Sequence, residues 1–184
     1  MHGFSSIVLL VGSISLAVST AEATGKKNPD PCALLTKSEI ESVQGERVSA
    51  TKASRPERGR FAVSQCFYSL TTFSKSISLE VTRPRASESE KPEDQWRAMF
   101  RGGSEKETER EKDREAREGI KESSPPRKIA GIGDEAYWVG PAIVGGLYVR
   151  NGDSYFRLSV GGPEGEAVKI EKLKKLARKA VRRL

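Results

Sequence analysis

The sequence predicts an α+β domain: a mainly antiparallel sheet with helices packed on one face, ending in an amphipathic basic helix. Three observations predict it. Ile77, Leu79 and Val81 alternate with Ser78, Glu80 and Thr82, the period of a strand with one dry and one wet face. Asn151-Gly152 lies between two further alternating segments within Leu147 to Val160, the signature of a two-residue hairpin. After Gly162-Pro163, apolar residues recur at helical spacing as far as Leu184, and a half-wet sheet needs such a helix as cover.

The N-terminal stretch stands apart from this pattern. Phe4 to Val18 carries no charge and is rich in Ile, Val and Leu, yet it is shorter than the roughly 20 apolar residues needed to cross a bilayer. Ala21-Glu22-Ala23 follows with small residues at the positions signal peptidase reads. Residues 1–23 therefore read as a secretory signal peptide, cut between Ala23 and Thr24, although only the α-amino group and His2 precede the run as positive charge. Cys32 follows Asp30-Pro31 and does not sit in a lipid-acceptor motif. Cleavage removes one acid, Glu22, and raises the formal net charge from +7 by one. It leaves a chain of about 160 residues, the length of a single domain with one core. The expected location is secreted or periplasmic.

Residues 24–29 form a polar leader, and 30–184 form the domain. Asp30-Pro31 offers a helix cap and a first-turn proline, and Thr36-Lys37-Ser38-Glu39 spells a capping box for a helix ending near Gly45. Leu34, Leu35, Ile40 and Val43 supply its apolar stripe. Arg47 to Arg60 is basic and turn-rich, a short strand and then a loop. Strands follow at Phe61 to Leu70 and Ile77 to Thr82, and a polar linker at 84–91. Pro92 opens a short helix with Trp96, Met99 and Phe100 on one face.

From Ser104 to Glu118 acids and bases alternate with nothing larger than Ala116 among the aliphatic residues. This marks a charged insert near 104–126, helical and solvated or disordered. The Asn151-Gly152 turn, read as type I′, pairs Arg150 with Asp153, Tyr148 with Tyr155 and Leu147 with Phe156. It gives Leu147, Val149, Phe156, Leu158 and Val160 one common face. In the last helix Ile170, Leu173, Leu176, Ala177, Ala180, Val181 and Leu184 oppose Lys172, Lys175, Arg178, Lys179, Arg182 and Arg183.

Cys32 and Cys66 are the two cysteines, and export places them where such a pair closes. A structural bond across a loop of this length contributes roughly 3–4 kcal/mol. The wide spacing is unlike the C-x-x-C of redox sites.

The chemistry legible in the residues is narrow. His2 is the only histidine and leaves with the signal peptide, so the mature chain builds no Ser-His-Asp or Cys-His nucleophile and no histidine zinc site. Carboxylate, lysine and tyrosine chemistry remain, with no arrangement that points to them. Gly131-Ile132-Gly133-Asp134-Glu135-Ala136 matches the letters of a dinucleotide fingerprint, but Tyr137-Trp138-Val139-Gly140-Pro141 follows it instead of a helix. It reads as a tight turn into a strand with Asp134 capping local amides. Asp134 and Glu135 are adjacent and point to opposite faces of a strand. Tyr137 and Trp138 serve either a core or a ligand groove. No alternating oxygen ligands suit calcium, and no cofactor is expected. No nucleic-acid motif accompanies the charge.

Asp30-Pro31-Cys32-Ala33-Leu34-Leu35-Thr36, Cys66-Phe67-Tyr68, Gly131 to Tyr137 and Leu147 to Asp153, followed by a basic C-terminal helix, resemble a class of bacterial exported or lipoprotein domains of unknown function. That class opens on a DPC-x-LLT helix and carries GLGDEA. The resemblance implies a PsbP- or Mog1-like α+β fold, one sheet backed by helices, and no activity. The expectation is a non-catalytic exported binding or accessory domain whose partner is an unidentified protein or small molecule. The alternatives are a cationic protein on anionic envelope polymer or membrane surface, bound weakly and screened by salt, and lastly an enzyme using carboxylate or lysine chemistry.

Overall fold

The computed structural model describes residues 30–56, 60–85, 89–100, 125–141 and 143–184. The signal peptide, the Ala23–Thr24 cut, the leader 24–29 and the charged stretch 104–118 lie outside these residues.

The capping residues act as their types require. Asp30 caps a 3-10 turn, Pro31–Ala33, its carboxylate accepting from the Cys32 N–H at 3.0 Å. Helix α1, Lys37–Gln44, opens on the Thr36 capping box. The Glu39 N–H donates to Thr36 Oγ1 at 3.2 Å and the Thr36 N–H to Glu39 Oε2 at 2.9 Å, satisfying two amides that have no partner within the helix. Gly45, at φ 72°, ends it in the left-handed conformation that glycine adopts without strain.

Among the described residues seven strands form one antiparallel sheet: β1 (Val48–Ser54), β2 (Ala62–Leu70), β3 (Ile77–Arg83), β4 (Arg127–Lys128), β5 (Glu135–Val139), β6 (Gly146–Asn151) and β7 (Ser154–Val160). Their order is β1-β2-β3-β7-β6-β5-β4, so β3 and β7 meet at a seam between two meanders. One face is dry. Cys66, Leu79, Leu158, Leu147 and Trp138 cross it in register, as do Val81, Phe156, Val149 and Ala136 in the next row. Leu34, Leu35 and Ile40, together with Ile170, Leu173, Leu176, Ala177 and Ala180 of α3 (Glu166–Val181), complete this core. Lys175, Arg178, Lys179 and Arg182 are exposed. Cys32 and Cys66 are bonded, Cα atoms 5.1 Å apart, which ties the 3-10 turn to β2.

Three expectations need correction. Helices do not all pack on one face: α2 (Pro92–Phe100) lies across the opposite, wet face. There Trp96 sits 5.7 Å from the Tyr155 ring and Phe100 stacks on Tyr137 at 4.6 Å. That face carries Tyr137, Tyr148 and Tyr155 on β5–β7, and aromatic rings left there need an apolar partner. Within α2, Trp96 is buried while Met99 is exposed, so the Trp96, Met99 and Phe100 stripe is only partly covered.

The hairpin register is the third. Asn151 pairs with Ser154, Arg150 with Tyr155, Tyr148 with Arg157 and Leu147 with Leu158. Asn151 is a strand residue, and the turn is Gly152-Asp153. Gly152 has φ 62° and no non-glycine residue among those described has positive φ, the pattern of a II′ turn with glycine first and not of I′. The partners move by two residues, an even step, so Leu147, Val149, Phe156, Leu158 and Val160 keep their common dry face.

Candidate functional site

Gly133 and Asp134 explain why that turn forms where it does. Gly133 has φ 56°, and a Cβ there would meet the Arg150 carbonyl oxygen at 2.4 Å. The chain thus comes close enough for the Asp134 N–H to donate to that carbonyl at 2.9 Å and for Asp134 Oδ2 to accept from the Gly152 N–H at 2.8 Å. Asp134 caps a distant hairpin and not its own local amides. The segment from Gly131 runs directly into β5. Glu135 turns the other way and is buried, accepting from Trp96 Nε1 at 2.8 Å, with Arg150 Nε at 3.9 Å. The two adjacent carboxylates accept from different donors, the Gly152 amide and the Trp96 indole, and share Arg150, whose Nη1 lies 3.5 Å from Asp134 Oδ2 and whose Nε lies 3.9 Å from Glu135 Oε2. Tyr137 and Trp138 are likewise divided, Tyr137 on the wet face against Phe100 and Trp138 in the dry core.

The wet face carries a continuous polar row. Ser54, Gln65, Glu80, Arg157, Tyr148, Tyr137 and Lys128 stand opposite one another from β1 to β4. At its β1 side the row is self-satisfied: Ser54 Oγ donates to Gln65 Oε1 at 3.2 Å, and Gln65 Nε2 donates to Glu80. Beside it Ser78 and Ser159 share a hydroxyl bond of 2.7 Å.

Arg157 is different. Its Nη2 donates to the Val144 carbonyl at 3.2 Å and its Cζ lies 5.8 Å from the Tyr148 ring centroid. A Cβ on Gly146 would come within 3.0 Å of its Nε, so the guanidinium lies flat against the glycine backbone. Among the described residues no carboxylate comes within ion-pair distance of it, and Glu80, its cross-strand neighbour, is engaged by Gln65. Arg157 is thus a fixed, half-exposed cation with donors left over, a geometry suited to a carboxylate or phosphate.

No cluster of three metal-ligating side chains occurs among the described residues. Sequence reading missed Arg157 because one arginine in an alternating strand is an ordinary wet-face residue. The available signal was Gly145-Gly146, where a strand begins without a side chain. Comparison with family models, curated proteins and solved structures finds no match to this chain.

Proposed function

We propose that this protein is a non-catalytic exported binding domain that holds an anionic ligand on the wet face of its sheet, with Arg157 as the anchor. The observation that carries the reading is the Arg157 guanidinium, positioned by Gly146, Tyr148 and the Val144 carbonyl and lacking a carboxylate partner among the described residues. Fixing an arginine before binding removes much of the ordering cost a free side chain would incur. The aromatic wall of Trp96, Phe100, Tyr137 and Tyr148 borders the position and offers ring faces to the rest of the ligand.

Export supports the reading from two sides. The apolar run and Ala21-Glu22-Ala23 form a signal peptide cut between Ala23 and Thr24. The Cys32–Cys66 bond fits an oxidising compartment, and no described helix is long and apolar enough to cross a membrane. The domain works outside the cytoplasm, with a basic α3 packed by its apolar side on the sheet.

The test is a titration of the exported protein with inorganic phosphate and with acetate, following the Arg157 Nε–Hε signal by NMR. A saturable shift that Arg157→Gln abolishes is the expected result. An Arg157 signal that ignores both anions would sink the reading. Mass spectrometry of material co-purified from the native source then identifies the ligand, and an intact mass beginning at Thr24 checks the cut.

A further inference from the structure

The described residues include five large apolar side chains that are exposed, and four of them lie at one end of the sheet. Phe73, 72% exposed, is in the β2–β3 connection; Ile143 and Val144, 87% and 66% exposed, form the tip of the β5–β6 connection; Val168 is at the start of α3. The register brings these connections to one end, because Tyr68 pairs with Ile77, Ile77 with Val160, and Val139 with Gly146.

The Ile143-Val144 tip is held in place. The Gly145 N–H donates to the Pro141 carbonyl, and a Cβ on Gly145 would overlap the Trp138 ring at 2.2 Å. The loop is therefore clamped over a core tryptophan with its two apolar side chains directed outward. Such an arrangement costs hydration and gives the folded domain no packing in return.

The acids beside these connections are already paired with cations. Glu46 is paired with Lys75, Glu164 with Lys172 and Glu166 with Arg127. Among the described residues Arg157 and Lys128 remain without an acid, and Val144, the residue at the apolar tip, itself supplies the carbonyl that holds Arg157. An apolar tip with a fixed guanidinium directly beneath it matches the layering of a lipid surface, acyl chains below and phosphate above.

We infer that this end of the sheet docks on an anionic phospholipid bilayer, Ile143 and Val144 entering the interface and Arg157 meeting a lipid phosphate. The inference rests on the anion-anchor reading of Arg157 and names the source of the anion. Two or three inserted side chains with a few cations give reversible attachment, not integration.

The experiment is co-sedimentation of the exported protein with vesicles of phosphatidylcholine alone and of phosphatidylcholine mixed with phosphatidylglycerol. The protein is expected to pellet with the mixed vesicles only. The double variant Phe73→Asp/Ile143→Asp, at two exposed tips that do not touch Arg157, should lower that binding by about tenfold or more, since each carboxylate must be carried into the interface. Both positions are exposed, so the variant keeps the fold, and it should keep the response of Arg157 to inorganic phosphate. Failure of the protein to bind mixed vesicles, or equal binding by the double variant, overturns the inference and leaves the phosphate site standing. Capture of a protein at this end in place of lipid, lost in the double variant, overturns it as well. Loss of the phosphate response with vesicle binding intact would instead remove the reading beneath it.

Discussion

Glu39 accepts three hydrogen bonds at once: from the Thr36 N–H at 2.9 Å and from both Nη atoms of Arg183 at 2.8 Å. Arg183 Nη1 also donates to the Leu34 carbonyl at 2.9 Å, so one guanidinium ties the end of the chain to the start of α1. The Arg183 hydrogen bonds hold the Glu39 carboxyl at about 2, against an ordinary value of 4.5. A carboxylate whose value is depressed in the folded state stabilises it above the unfolded value and loses that contribution as the pH falls through the folded one. The pair should thus support the fold fully above about pH 5 and fade between 4.5 and 2. Urea midpoints measured from neutral to acid pH should differ between the native protein and Arg183→Gln at pH 7 and converge near pH 2. The capping box was legible in the sequence because its four residues are contiguous. Arg183 was not, because its partner lies 144 positions away and a last-turn cation is equally well explained by the helix dipole.

Among the elements, α3 shows how far periodicity reaches. Its spacing identified Ile170, Leu173, Leu176, Ala177 and Ala180, all buried. Leu176 is 1% exposed, and Leu176→Ala should cost about 2–5 kcal/mol in equilibrium denaturation. A cost near zero would free the helix for a surface role. Periodicity says which side of a helix is apolar but not which face of a sheet receives it, and α2 is the result: Trp96 and Phe100 were found, and their placement on the wet face was not. The β6–β7 hairpin failed differently. Asn-Gly read alone selects a I′ turn, whereas Asp134, brought close by Gly133, takes the Gly152 amide and shifts the turn one residue along. Gly131 to Ala136 and Arg150 to Asp153 are two stretches of sequence and one local structure. Gln44 is a further contact no pattern announces, its buried amide donating to the carbonyls of Lys75 and Gly161 and accepting from Lys172 Nζ at 2.8 Å.

At the scale of the whole molecule the sheet is two meanders, β1-β2-β3 and β4 to β7, joined only by the β3–β7 seam within the sheet. The disulfide lies wholly within the first half, linking the Pro31–Ala33 turn to β2. Replacing both cysteines by alanine should lower stability by about 2–5 kcal/mol, read as a shift in denaturant midpoint, and peptide mapping of the native protein should show the linked pair and no free thiol. Because no covalent link other than the backbone between Phe100 and Pro125 bridges the halves, they are held by the β3–β7 pairing, by α3, which packs with α1, and by α2 of the first half, whose Trp96 and Phe100 pack on Tyr155 and Tyr137 of the second. The molecule is in effect a fused heterodimer. Its two pieces, ending at Phe100 and beginning at Pro125, should find each other when produced as separate chains and elute together on gel filtration. A substitution such as Leu79→Lys, placing a charge where β3 meets β7 at Leu158, should send them apart.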